Sequence, residues 1–252
     1  EISIQAYKRV DSALRNFKKL LIKNDVDDVF VVGTAALRDA KNADKVIENI
    51  RKKYDFEVEV LSGHDEGITT SIGVLHFMKK IENFLIVDIG GRSTEFIYEF
   101  GNRMISESLN LGVVTLTEKY FSNLPTSSNL SDEAKLNMET ELSKLNINNT
   151  KKVIGVSGTA LSLASIFLDQ QKFNEEELHE VEIDIDNVQE IKNKLLKMTE
   201  AEIITQFKGI DPKRAATIIS GVFLLEQILN RYANSIIISK NDILEGLILK
   251  KY

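Results

Sequence analysis

The chain has 252 residues, 43% of them hydrophobic and 28% charged, with a net charge of −6 and no cysteine. These values describe a folded globular protein with room for one large domain or two smaller ones, and they exclude disulfides, thiolate zinc sites and thiol nucleophiles. The negative balance disfavours non-specific nucleic-acid binding while leaving a local phosphate site open; with no run of membrane-spanning length and no signal-peptide pattern at residues 1–5, the sequence predicts a soluble, cytoplasmic protein.

Ile4, Tyr7, Val10, Leu14, Phe17 and Leu21 recur at helical spacing, so residues 1–24 predict one amphipathic helix. Residues 29–32 predict a short buried strand, and Gly33-Thr34 turns it towards Arg38, with Asn42 placed to cap the next helix, about 43–53. Residues 57–61 alternate as a strand, and Ser62-Gly63 breaks it before a helix from about Asp65 to Lys80. Three strands follow at 84–89, 95–100 and 103–109, the last two joined by a Gly101-Asn102 hairpin turn. Gly112 precedes a helix of about 114–121, 124–129 has loop composition, and Ser131 is placed to cap a polar helix reaching about Leu145. Residues 152–156 predict another buried strand turning through Ser157-Gly158-Thr159 into an apolar helix. The remainder is mostly helical, with Pro212 in the first turn of a long apolar helix to about Leu229 and a last strand at 235–239. This order makes an α/β chain, divided here into residues 1–77 and 78–252.

Residues 87–95, Val-Asp-Ile-Gly-Gly-Arg-Ser-Thr-Glu, carry the chemistry. Asp88 ends an apolar run, where a carboxylate is costly to bury without a partner or a metal. Gly90 and Gly91 let the backbone approach an anion, and Ser93 and Thr94 offer hydroxyls. Each residue also has a structural reading. Asp88 can cap the turn's own N–H groups, and Glu95 can pair with a surface lysine. Asp65 and Glu66 suit a helix's first turn, Arg38 can pair with Asp39 or another acid, and Gly158-Thr159 fits an ordinary strand-to-helix turn. His64, His76 and His179 lack metal-ligand spacing, and Asn148-Asn149-Thr150 matches a glycosylation acceptor by chance.

Five ordered blocks resemble the exopolyphosphatase and guanosine pentaphosphate phosphohydrolase (Ppx/GppA) family. They are residues 33–40 (Gly-Thr-Ala-Ala-Leu-Arg-Asp-Ala) with Asn42, 61–67 (Leu-Ser-Gly-His-Asp-Glu-Gly), 87–95, 155–159 (Gly-Val-Ser-Gly-Thr), and 211–215 (Asp-Pro-Lys-Arg-Ala) with Gly221. The resemblance implies a two-lobed actin-like (ribonuclease H-like) ATPase superfold, with the active cleft between Glu66 and Asp88. It implies Glu66 as catalytic base, Asp88 and Glu95 as ligands of Mg²⁺, and Arg38, Gly90, Gly91, Arg92, Ser93, Thr94, Gly158 and Thr159 as substrate phosphate contacts. The implied reaction is Mg²⁺-dependent release of terminal orthophosphate from inorganic polyphosphate or guanosine pentaphosphate. A non-catalytic phosphate or alarmone sensor and a small-molecule kinase of the superfold are the alternatives. No nucleic acid or membrane is expected as partner, and a homodimer is a candidate assembly. Two departures accompany the match. No opening Asp-x-Gly-Ser turn precedes Glu1, so the first lobe is expected to lack its N-terminal strands in this numbering, and Arg92 stands where the family commonly has a third glycine. A positive φ there would strain an arginine, so the turn is expected to differ locally, with the guanidinium either on phosphate or in solvent. Lys18, Lys19, Lys23, Lys79 and Lys80 are candidates for a basic channel, against the plainer reading of solvated helix faces.

Overall fold

The computed structural model describes every residue except Asn102, Asn148, Asn149 and Lys151. Half of the expected hairpin turn and the asparagines of the Asn-Asn-Thr pattern therefore lie outside the described residues. Two compact units form, Glu1–Glu66 and Gly67–Tyr252. The division falls inside a helix, not at the 77/78 boundary drawn from the sequence.

The first unit contains α1 (Ile4–Lys23), β1 (Val31–Gly33), α2 (Ala35–Arg38), α3 (Ala43–Tyr54), β2 (Val58–Val60) and the first turn of α4 (Gly63–Phe77). The Ser3 hydroxyl accepts the Ala6 N–H and starts α1. Tyr7, Leu14 and Leu21 pack on Val46, Ile50, Tyr54 and Phe56, whereas Ile4, Val10 and Phe17 of the same periodic set are exposed. β1 and β2 pair in parallel, Val31 opposite Val58. The strand expected to be buried from Val29 begins only at Val31, and Val29 and Phe30 are exposed. Asn42 does not cap α3 through its side chain. Its amide instead accepts the Ile2 N–H at 2.9 Å and donates to the Ile2 carbonyl at 3.0 Å, pinning the chain ahead of α1.

The second unit is built on a six-stranded sheet. Its strands are β3 (Phe84–Ile89), β4 (Thr94–Phe100), β5 (Arg103–Leu109), β6 (Lys152–Val156), β7 (Glu182–Asp184) and β8 (Ser235–Ile238), in spatial order β5-β4-β3-β6-β8-β7. The β3–β6–β8 centre is parallel, and the flanking pairs are antiparallel. Its helices are the rest of α4, then α5 (Val113–Leu116), α6 (Ser128–Leu142), α7 (Ser157–Phe167), α8 (Ile185–Leu195), α9 (Glu200–Gln206), α10 (Ile218–Tyr232) and α11 (Ile243–Lys251). α5 runs on into a π-helical turn, Thr117–Phe121.

Strand alternation sorts the two faces. Leu85, Val87, Ile89, Phe96 and Val153 enter the large core with α7 and α10, and Phe84, Ile86, Ile97, Ile154 and Val156 enter a smaller core with Val74 of α4. Between α8 and α10, Lys192 Nζ holds Glu226 at 2.8 and 2.9 Å, Gln227 donates to the same carboxylate, and the ammonium lies over Phe223.

Boundaries moved where local signals were ambiguous. Pro212 lies in a 3-10 turn, Pro212–Arg214, ahead of α10 instead of inside it, and α6 starts at Ser128, with Ser131 bonded to a carbonyl within the helix. Of the candidate channel lysines, Lys79 pairs with Glu180 and Lys80 with Glu82, while Lys18 lies over the Phe56 ring.

Candidate active site

Asp88 sits in the phase of Phe84 and Ile86, so it projects from the smaller-core face at the end of β3. Register places it opposite Glu95 on β4, and Glu95 opposite Ser108 on β5. The row is therefore carboxylate, carboxylate, hydroxyl on one face. Glu95 is buried, and one of its oxygens accepts both the Ser93 hydroxyl at 2.7 Å and the Ser108 hydroxyl at 2.9 Å. Two carboxylates directly opposed across a pair of strands repel one another, so the row suits a bound cation. Among the described residues no cluster of three or more metal-ligating side chains forms. Two carboxylates with hydroxyls nearby match a hard cation that keeps most of its waters, and Mg²⁺ fits that donor set.

The turn between β3 and β4 is fastened from behind. The Gly90 N–H donates to Ser93 O, while Val113 N–H and Val114 N–H at the start of α5 donate to Gly90 O and Gly91 O at 3.0 and 2.8 Å. Among the described residues no partner is seen for the N–H groups of Gly91 and Arg92. The turn thus spends its carbonyls on the protein and keeps donors for an anion. Arg92 has no positive φ, and neither has Gly90 or Gly91. The turn thus avoids the conformation that would strain an arginine at this position. Accommodation comes from Gly112 instead, where a Cβ would lie 2.3 Å from the Arg92 nitrogen and 2.4 Å from its Cα. The Arg92 side chain is exposed.

The two hydroxyls of the turn, read from the sequence as phosphate contacts, have partners within the protein. Thr94 is fully buried and donates to the Leu111 carbonyl, and Ser93 serves Glu95. Both buried hydroxyls are thereby satisfied, as buried polar groups generally are.

The second turn, from β6 into α7, holds Ser157 at φ +62°, a left-handed conformation uncommon for a residue with a side chain. Thr159 is buried, its hydroxyl 3.5 Å from the Ile89 carbonyl at the end of β3, so the two turns lie side by side. Gly158 is covered by Arg214: a Cβ there would lie 1.9 Å from Cζ, Nη1 and Nη2, which places the guanidinium flat on the glycine.

In the first unit, Ser62 and Asp65 cap α4 reciprocally, the Asp65 N–H donating to the Ser62 hydroxyl and that hydroxyl to Asp65 Oδ2 at 2.6 Å. This frees Glu66 from capping. Arg38 Nη1 donates to Glu66 Oε2 at 3.0 Å and to the Leu61 carbonyl at 2.9 Å, with both side chains largely buried. Of the two acids in this turn, Asp65 shapes the helix and Glu66 is held by an arginine distant in sequence. His64 is exposed.

A model of the Ppx/GppA phosphatase family matches residues 1–252. The chain belongs to that family. Among solved structures, the exopolyphosphatase from Cytophaga hutchinsonii is similar at 24% identity with a TM-score of 0.90, over 99% of this chain and 82% of that one. The Ppx/GppA family member from Aquifex aeolicus is similar at 24% identity and a TM-score of 0.86, over 99% and 82%. These likenesses establish the α/β, actin-like fold. The bifunctional 3-dehydroquinate synthase/phosphatase of Fusobacterium nucleatum is 29% identical over 98% of this chain, which spans 38% of the length of that relative.

In this Ppx/GppA member the second unit joins Asp88, Glu95, Gly90, Gly91, Arg92, Gly158 and Thr159 through β3, β4 and α7, and the first unit joins Arg38 to Glu66. Sequence reading assigned no role to Ser108 or Arg214. Ser108 is found only by strand register, because it is distant from Glu95 in sequence. Arg214 had one signal, its place in the fifth matching block. No described helix is long and apolar enough to cross a membrane.

Proposed function

We propose that this Ppx/GppA member hydrolyses a terminal phosphoanhydride, releasing orthophosphate from inorganic polyphosphate or guanosine pentaphosphate with Mg²⁺ as cofactor. The opposed Asp88–Glu95 pair beside a turn with unengaged N–H groups carries this reading. A site built this way receives a cation on its carboxylates and phosphate oxygens on its backbone donors, which is the positioning and charge compensation that phosphoryl transfer demands.

Asp88 and Glu95 would hold Mg²⁺, directly or through its waters, with the Ser93 and Ser108 hydroxyls fixing the Glu95 carboxylate. When bound, the ion supplies neutralisation of the charge that develops on the phosphate oxygens. The Gly91 and Arg92 N–H groups bind those oxygens. Glu66, oriented by Arg38, accepts a proton from the attacking water as the water oxygen bonds to phosphorus. The bridging P–O bond breaks, its electron pair stays with the shortened chain, and orthophosphate leaves.

Phosphate release from tripolyphosphate, long-chain polyphosphate and guanosine pentaphosphate, with and without Mg²⁺, tests this. Glu66→Gln keeps an acceptor for Arg38 and removes the base, and a fall of about 100-fold or more is expected. Unchanged release from Glu66→Gln, or full activity in excess chelator, would overturn it. Tight ligand binding without any release would instead favour a sensor.

A further inference from the structure

α4 passes from the first unit into the second between Glu66 and Gly67. Gly67 is buried, and a Cβ there would lie 2.0 Å from Ser106 Oγ, 2.7 Å from Ser106 Cβ and 3.0 Å from Ile97 Cγ1. The helix backbone therefore rests directly on the Ile97–Ser106 rung of β4 and β5. On the same face, the next rung is Glu95–Ser108, part of the carboxylate row, roughly 7 Å further along the strands. Gly73 is pressed as closely, since its Cβ would lie 2.1 Å from the Asp242 carbonyl oxygen. α4 is thus seated within the second unit at two bare Cα positions, and Glu66 is the residue directly before the first of them.

The atoms under Gly67 differ in how far they can yield. Ser106 Oγ can swing away about χ1, but Ser106 Cβ is fixed to the β5 backbone. At 2.7 Å it is about 0.7 Å inside the distance where ordinary contact begins, so a methyl on residue 67 has to lift the start of α4 from the sheet. Gly73, fastened further along, concentrates that displacement in the first turn of the helix. Arg38 sets the direction of the Glu66 carboxylate, whereas the seat of Gly67 sets the backbone that carries it. Such geometry matters to a reaction, because displacing a reacting group by about 1 Å costs on the order of 100-fold in rate.

We infer that Gly67 and Ser106 are a positioning pair for the catalytic base: their match in size sets the seat of α4 on β5, and through it the reach of Glu66 to the attacking water. Both act through Glu66 and not on substrate. This inference rests on the base role given to Glu66 under Proposed function and adds the contact that positions it.

Steady-state turnover of tripolyphosphate by the intact chain, with Mg²⁺ titrated, tests it. Gly67→Ala should lower kcat about 10- to 100-fold while KM and the Mg²⁺ requirement stay within about twofold, because the β3–β4 turn and the Asp88–Glu95 pair are untouched. The size-swapped double variant, Gly67→Ala with Ser106→Gly, removes both nearest atoms and should recover most of kcat. Ser106→Val adds bulk from the strand side with a residue suited to a strand, and should reproduce the low kcat at unchanged KM should Gly67→Ala fail to fold. In a Glu66→Gln background Gly67→Ala should cause no further fall, since it acts through the group already removed. Wild-type kcat in both Gly67→Ala and Ser106→Val, a folded double variant that stays slow, or a Gly67→Ala loss that persists in full beside Glu66→Gln would each overturn the inference. A slow Glu66→Gln with a wild-type Gly67→Ala keeps the base and removes the pair, whereas full turnover in Glu66→Gln removes the base assignment itself.

Discussion

Replacing Gly91 by alanine separates what the fold needs from what a ligand needs. A Cβ at Gly91 meets only Val114 Cγ2 at 3.5 Å, an ordinary contact, and the residue has no positive φ. The folded state therefore accepts the methyl, and the unfolded chain loses freedom, so stability should be unchanged or rise by about 0.4–1 kcal/mol. In a protein of this size that is a rise in Tm of at most about 4 °C. Activity should behave oppositely. If phosphate oxygens approach the Gly91 and Arg92 N–H groups closely, a methyl on that surface displaces the anion, and loss of one preorganised donor costs about 100- to 1,000-fold in turnover. Gly112→Ala is the contrasting variant, because its Cβ would lie 2.3–2.4 Å from backbone atoms of Arg92, which have nowhere to go. It should lose about 1–3 kcal/mol of stability. Thermal unfolding and phosphate release measured on both variants decide the matter. A Gly91→Ala protein with wild-type turnover, or one that unfolds early while Gly112→Ala does not, refutes the reasoning.

Other expectations follow from the same geometry. Glu95→Gln keeps an acceptor for Ser93 and Ser108, so the fold should persist while the apparent Mg²⁺ affinity, read from the metal dependence of phosphate release, falls about 10–100-fold. Lys192→Ala strands the Glu226 carboxylate in the core and should destabilise by about 3–5 kcal/mol in denaturant melts, with the Lys192→Met, Glu226→Leu double variant recovering much of the loss. Asp242 caps α11 through the Leu244 N–H, and burial raises its pKa above 3.8, the hydrogen bond opposing. The folded state then binds this proton more tightly than the unfolded state, so this site adds stability as pH falls from neutrality through the raised pKa. Asp242→Asn, which caps equally well, should match or exceed wild type at pH 7 and lack that acid-side increment in melts across pH.

The sequence by itself determined the α/β order, the apolar run ending at Asp88 and the glycine turn after it, because alternation and turn chemistry are local properties. It could not say which hydroxyls face a ligand. Thr94 donates to Leu111 and Ser93 to Glu95, choices set by which acceptors the folded sheet brings within reach. Nor could it assign Asp65 to a helix cap and Glu66 to Arg38, since both are acids in one helical turn and only the return of α2 beside that turn distinguishes them. Arg92 makes the same point. The glycine pattern said only that a positive φ there would be strained; the structure holds Arg92 without one, its backbone packed close against Gly112 from beyond the β4–β5 hairpin. Residue type and spacing set the available chemistry; strand register and close packing decided which groups meet, because those contacts join residues that the chain itself keeps apart.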